Sequence, residues 1–167
     1  VVDDLVVVHL GGKDAGLVVA VALASGTVKW QSTGEGPAYA SPALLTVNGT
    51  TQMVVQTEHS LSGFALDDGR RLWQTPTAPR PGYWNSVTPG TAGPTVYYSG
   101  QGTGTRAVRL ESQGAEFAVR ELWHNPQLGT VYNTPVLKDG WLYALSDRGS
   151  FATLRLNIGV SWKVALT

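Results

Sequence analysis

Residues 64–73 read Phe-Ala-Leu-Asp-Asp-Gly-Arg-Arg-Leu-Trp. An alternating strand runs into an Asp-Asp-Gly turn, and a second short strand ends in tryptophan. Asp and Gly suit such a turn because Asp bonds nearby backbone and Gly accepts positive φ at no steric cost. The unit recurs along the chain. Val21 to Trp30 (Val-Ala-Leu-Ala-Ser-Gly-Thr-Val-Lys-Trp) keeps the ten-residue span and the glycine four residues before tryptophan. Val108 to Trp123 carries a longer turn, and Leu154 to Trp162 is a degraded copy around Asn157-Ile158-Gly159. The four tryptophans are spaced 43, 50 and 39 residues apart. A period in the forties built of short strands points to propeller blades rather than helical repeats.

A second signature falls between these units. Ser41-Pro42, Thr88-Pro89 and Thr134-Pro135 are 47 and 46 residues apart. Each precedes an apolar run, a glycine turn (Asn48-Gly49, Ala92-Gly93, Asp139-Gly140) and a further strand (Gln52 to Gln56, Thr95 to Ser99, Trp141 to Leu145). Asn-Gly and Asp-Gly between alternating runs are strong hairpin signals. Each full repeat therefore predicts four antiparallel strands. Val1-Val2, the Asp3-Asp4 turn and the strand from Val6 leave the first repeat with three clear strands and its innermost missing or reduced.

The pattern is similar to the tryptophan-docking repeat of the PQQ-like, quinoprotein-type β-propeller family, whose blades carry an Ala-x-Asp-x-x-x-Gly-x-x-x-Trp-like signature. The likeness spans nearly the whole chain. It implies an all-β fold of four-stranded antiparallel blades at about 1–32, 33–76, 77–125 and 126–167, one propeller segment filling residues 1–167. Family members usually carry seven or eight blades, so the resemblance implies a partial or half propeller. Three arrangements stay open: the rest of the ring lies outside this chain, a homodimer assembles one eight-bladed ring, or four blades close on themselves. The resemblance also implies a bacterial periplasmic or otherwise extracytoplasmic place, although no signal peptide opens the chain.

Composition limits the function. Apolar residues make up 43% of the 167, enough for a core, and charged residues only 14%, against roughly 25% in typical soluble domains. The formal net charge is zero, so no basic field recruits nucleic acid or an anionic membrane. The longest apolar run, Leu17 to Ala24, is far short of the roughly 20 residues of a membrane-spanning helix. Without cysteine there are no disulfides or thiolate metal sites.

In a propeller, the loops entering each innermost strand gather at one face around the central channel, beside the turns between second and third strands. Here the entry loops are 33–41, 76–88 and 124–134. Gly36-Pro37-Ala38-Tyr39 and Gly129-Thr130-Val131-Tyr132 correspond, each setting a tyrosine three residues before the motif proline. The middle loop has Tyr83-Trp84-Asn85. Tyr39, Trp84, Asn85, Tyr132 and Asn133 are the candidate ring at the channel mouth, joined by Gln101 and Arg148 from the second set of turns. Aromatic walls with a few polar groups suit a small ligand or a protein partner. The bland alternative is that these side chains fill the funnel and satisfy loop backbone.

Glu58 and His59 form a possible acid/base pair, set against solvated turn residues. His9, His59 and His124 are far apart in sequence and lack metal-motif spacing, so no metal ligands are assigned. Trp30, Trp73, Trp123 and Trp162 are expected to pack between neighbouring blades, and Trp141 to be strand core. The favoured reading is a non-catalytic binding or scaffold module with no cofactor. The alternatives are a segment of a quinone-dependent dehydrogenase, with PQQ and calcium, or a carbohydrate-binding propeller. The missing Cys-Cys pair and the lack of a recurring Asp/Asn/Glu cluster argue against the dehydrogenase.

Overall fold

The computed structural model describes residues 1–77, 85–114 and 116–165, with side chains as far as residue 160. The described residues form fifteen strands and no helix. The first sheet is antiparallel and three-stranded: β1 (Leu5–Gly12), β2 (Ala15–Ala22) and β3 (Val28–Gly34). A bridge between Val2 and Leu5, with Asp3 at φ 49°, stands before it. The second sheet runs β4 (Ala43–Val47), β5 (Thr50–Gln56), β6 (Ser60–Ala65) and β7 (Arg71–Pro76) in chain order. The third does the same with β8 (Gly90–Ala92), β9 (Thr95–Gly100), β10 (Gly104–Gln113) and β11 (Glu116–Asn125). The fourth comprises β12 (Val136–Lys138), β13 (Trp141–Leu145), β14 (Ser150–Arg155) and β15 (Ser161–Ala165). Each sheet is a simple meander, so each is one propeller blade.

The turn chemistry follows the sequence. Asn48 and Gly49 sit at φ 49° and 80°, and Asp139 and Gly140 at 51° and 79°, the paired positive values of a primed two-residue turn. In the third sheet the turn falls one residue later than the sequence suggests, on Gly93-Pro94, because only Gly93 (φ 54°) can take the left-handed position.

The repeating tryptophan has a partner legible in the ladder. Trp30, Trp73 and Trp123 stand opposite Ala20, Gly63 and Ala107, and the register slips just beyond each pair. A small residue is needed there because the indole lies across it: a Cβ on Gly63 would sit 2.0 Å from Trp73 Nε1.

Three apolar clusters weld the sheets into a row. Val18, Ala20 and Trp30 of the first sheet meet Met53, Val55 and Phe64 of the second. Leu45, Val54, Leu61 and Trp73 meet Val96, Tyr98, Val108 and Leu110 of the third. Tyr97 and Ala107 meet Leu128, Leu142, Ala152 and Leu154 of the fourth. Burial raises the Tyr98 phenol pKa to about 12, with Arg106 opposing the shift and Glu121 adding to it.

Trp30 and Trp123 dock on the next blade as expected. The Trp30 indole N–H donates to Leu66 O at 2.7 Å, and that of Trp123 to Leu156 O at 2.5 Å. Each ring lies on the turn glycine of the neighbour: a Cβ on Gly69 would come within 2.3 Å of Trp30, and one on Gly159 within 2.7 Å of Trp123. Trp73 packs between blades too, but its N–H turns back to Gln52 Oε1 of its own sheet. The position matching Leu66 in the third sheet is Leu110, which is inside a ten-residue strand and paired with Val119, so no turn is within reach. The side chain of Trp162 lies outside the described residues. Trp141 is half-buried under the Arg155 guanidinium, 5.4 Å from its ring centroid, rather than enclosed in strand core.

Candidate functional site

The loops that enter β4, β8 and β12 and the turns after β1, β5, β9 and β13 lie at one end of the blades, as the meander topology requires. They are held by a motif that repeats across blades. Glu58 N donates to Gly36 O at 3.1 Å, and Asp147 N to Gly129 O at 2.8 Å. The same two acids reach the preceding blade: Glu58 Oε2 accepts from Asp14 N at 2.9 Å, and Asp147 Oδ2 from Gly102 N at 3.1 Å. Both loop positions must be glycine. A Cβ at 36 would lie 2.4 Å from the backbone oxygen of Gly12, and one at 129 would lie 2.7 Å from that of Gly100.

On this frame the candidate residues separate into two kinds. Tyr39 and Tyr132 are displayed, at 75% and 79% exposed. Their backbones flank one segment of the middle loop: Tyr39 N donates to Asn85 O at 3.1 Å and Tyr132 N to Ser86 Oγ at 3.5 Å. Tyr132 holds φ 58°, a left-handed conformation that costs an aromatic residue about 1–2 kcal/mol. Arg148 is exposed in the turn after β13, and Gln101 half-buried in the turn after β9.

Asn85 and Asn133 serve the backbone. Asn85 is buried, and its Nδ2 donates to Thr57 O at 2.9 Å, Thr77 Oγ1 at 2.7 Å and Glu58 O at 3.2 Å. Asn133 Nδ2 donates to Val131 O and Leu145 O, both at 3.0 Å, while its Oδ1 accepts from Leu145 N at 3.3 Å. Trp84, with Tyr83 beside it, lies outside the described residues.

Glu35 and His9 form a polar centre that no sequence motif announces, since 26 residues separate them. They line a small solvent-open cleft between the first two sheets, with Ser60, Ser62, Arg71 and Gln74. Glu35 Oε2 accepts the Thr57 hydroxyl, Ser60 Oγ at 3.0 Å and His59 N at 3.2 Å, and Oε1 accepts Gln74 Nε2 at 3.0 Å. Burial disfavours the Glu35 charge, but the Thr57 and Ser60 hydroxyls, the His59 N–H and the nearby His59 ring outweigh it and hold the pKa below the ordinary value. His9 Nε2 pairs with Glu35 O at 3.1 Å. Its pKa is lowered by burial, against the opposing pull of Glu35 and Glu58.

Glu58 and His59, the possible acid/base pair, would point to opposite faces if their segment were extended. They lie instead on a tight turn that brings both near Asp14, with one donor atom from each of the three within 4.8 Å of the others. His59 Nε2 is 3.7 Å from Asp14 Oδ1, and Glu58 is already an acceptor for the Asp14 backbone. The trio is accounted for as an exposed pairing network.

A family model described as outer membrane protein assembly factor BamB matches residues 1–163. No curated protein matches the chain. Among solved structures, BamB from Moraxella catarrhalis is similar over 98% of this chain and 50% of its own, at 16% identity and TM-score 0.64. A europium-containing methanol dehydrogenase is similar over 100% and 41%, at 14% identity and TM-score 0.65. The quinohemoprotein alcohol dehydrogenase ADHIIG from Pseudomonas putida HK5 is similar over 100% and 33%, at 14% identity and TM-score 0.60. The chain thus spans half the length of that BamB and less of the two dehydrogenases. At these identities the likeness is one of fold.

Proposed function

The chain belongs to the family described as outer membrane protein assembly factor BamB, and from that premise we propose that it is a non-catalytic, extracytoplasmic binding module. Its channel face docks a protein partner in outer-membrane protein assembly. The observation that carries this reading is the pair Tyr39 and Tyr132, exposed on one face while the loops beneath them are interlocked by hydrogen bonds. Large aromatic groups on a rigid base are efficient anchors, because little freedom is lost when they are covered.

The quinone-dependent alternative fits this chain less well. Calcium beside a quinone asks for carboxylates and amides free to converge on it. Among the described residues of this face, Glu58 Oε2 and Asp147 Oδ2 each accept a neighbouring backbone N–H and Asn85 serves backbone carbonyls, which leaves Asp147 Oδ1 as a buried oxygen without a partner. A sugar-binding role would rest on the same two tyrosines and would need a second polar set facing them.

Photo-crosslinking tests the proposal. A photoreactive phenylalanine placed at 39 or 132 in the producing cell should capture a component of outer-membrane assembly, identified by mass spectrometry. The same probe at Val28, exposed at the opposite end of the first blade, should not. Capture only from Val28, or none from the tyrosine positions, would overturn the reading.

A further inference from the structure

The first and third joints are built on one plan, and at one position they differ in kind. Aligning Gly36-Pro37-Ala38-Tyr39 with Gly129-Thr130-Val131-Tyr132 sets Glu35 against Leu128. Leu128 is 1% exposed, and its carbonyl accepts the Thr105 hydroxyl at 2.5 Å. At Glu35 the carbonyl pairs with His9, and Gly16 gives it room, since a Cβ there would sit 1.7 Å away. An apolar plug in one joint is thus a carboxylate latch in the other.

We propose that Glu35 and His9 make the joint between the first two sheets an acid-released latch, while the joint between the third and fourth sheets holds. The geometry explains the direction. Three donors converge on Glu35 Oε2 and a fourth on Oε1, all from the second sheet and its turn. A protonated carboxyl turns one oxygen into a donor, which opposes the fixed N–H donors of His59 and Gln74 and forces the Thr57 and Ser60 hydroxyls to turn. A protonated His9 places a charge in the same half-buried cleft, which Arg71 also lines. The other charged groups facing this centre are Asp14 from the turn after β1, and Glu58 and His59 from the turn after β5. His59 gains charge in acid as well, but it is exposed and paired with Asp14 outside the cleft.

Both shifts have the same consequence for stability. The depressed Glu35 pKa gives a contribution present above its ordinary value of 4.5 and lost as pH falls through the folded value. The depressed His9 pKa means that the unfolded chain takes up a proton first, so folding weakens once pH drops below 6.5. The latch is therefore closed at neutral pH, is weakened at His9 once pH drops below 6.5, and is released at Glu35 only below 4.5. Its release removes the side-chain tie between the segment that carries Tyr39 and the turn at 57–60, and leaves the backbone bond from Glu58 N to Gly36 O in place.

Amide exchange on the intact, 15N-labelled chain reads this directly, after correction for intrinsic rates. The His59 amide donates to Glu35, whereas the Thr130 amide of the other joint donates to Ser99 Oγ, which does not titrate. Between about pH 7 and about pH 3, protection at His59 should fall roughly tenfold relative to Thr130, first below 6.5 as His9 takes up its proton and then below 4.5 as Glu35 does. Glu35→Gln should lower His59 protection already at neutral pH and remove the part of the selective acid step that lies below about pH 4.5. Equal loss at both amides in the wild-type chain would overturn the proposal, and so would a Glu35→Gln variant that keeps the part of the step below about pH 4.5. If Glu35→Gln does not fold, the wild-type contrast alone decides.

Discussion

The first and third joints of this row of blades and the middle one are held by different means. In the outer two, a tryptophan reaches across to a turn carbonyl of the next blade and lies on that turn's glycine. In the middle joint the indole N–H stays within its own sheet, and adhesion comes from a larger apolar cluster: eleven buried residues among those described, against six in each of the others. The lesson is that one repeat motif does not guarantee one interaction. Lengthening the hairpin of the third sheet removed the docking turn, and burial of Tyr98, Val108 and Leu110 stands in for it. The middle joint carries a cost as well. Gln56 is 1% exposed, and among the described residues neither of its amide atoms nor Gln52 Nε2 finds a partner.

Removing the indoles should separate the two designs most strongly. Trp73→Ala empties the larger cluster and strands Gln52 Oε1, so it should cost about 4–5 kcal/mol in chemical denaturation. Trp123→Ala, from a half-buried site, should cost about 3 kcal/mol. Equal losses would show that the middle joint is not the more dependent on its apolar core.

Gln56→Leu should act in the opposite direction and raise stability by about 1 kcal/mol, because it deletes two unpaired buried polar atoms at similar volume. A loss instead would reveal a partner for that amide. Glu35→Leu, which copies Leu128, should flatten the acid limb of stability below about pH 4.5 by less than about 1 kcal/mol, since the site is open to solvent screening. An unchanged acid limb would remove Glu35 from the account of that joint. Tyr39→Ala should leave melting within about 0.5 kcal/mol of wild type, as expected for an exposed side chain. A larger loss would mean that the ring is part of the packing.

Much of the fold was legible in the chain. The glycine four residues before tryptophan, the Asn-Gly and Asp-Gly hairpins and the Ser/Thr-Pro motif mark the strands, because turns at positive φ accept few residue types. The longer turn before Trp123 was visible too, but not its effect on Trp73, because docking depends on where the neighbouring turn ends in space. The candidate site was read less fully. Tyr39 and Tyr132 stood out by their matched spacing from proline. The burial of Asn85 depends on loop carbonyls of Thr57 and Glu58, which have no signature in sequence. Glu35 gave one faint signal: an acid where the corresponding loop has leucine.

The most direct measurement of the difference between the joints is the stability of Gly69→Ala beside that of Gly114→Ala. Both glycines have positive φ, 72° and 66°, so each substitution carries the same backbone cost of about 1–2 kcal/mol. Only the Cβ at 69 meets a docked indole; at 114 nothing lies within 4 Å. Gly69→Ala should therefore lose a further 1–3 kcal/mol or so, with Trp30 fluorescence shifted toward that of a solvated indole. Equal destabilisation by the two variants would contradict the claim that docking on the turn glycine locks the outer joints.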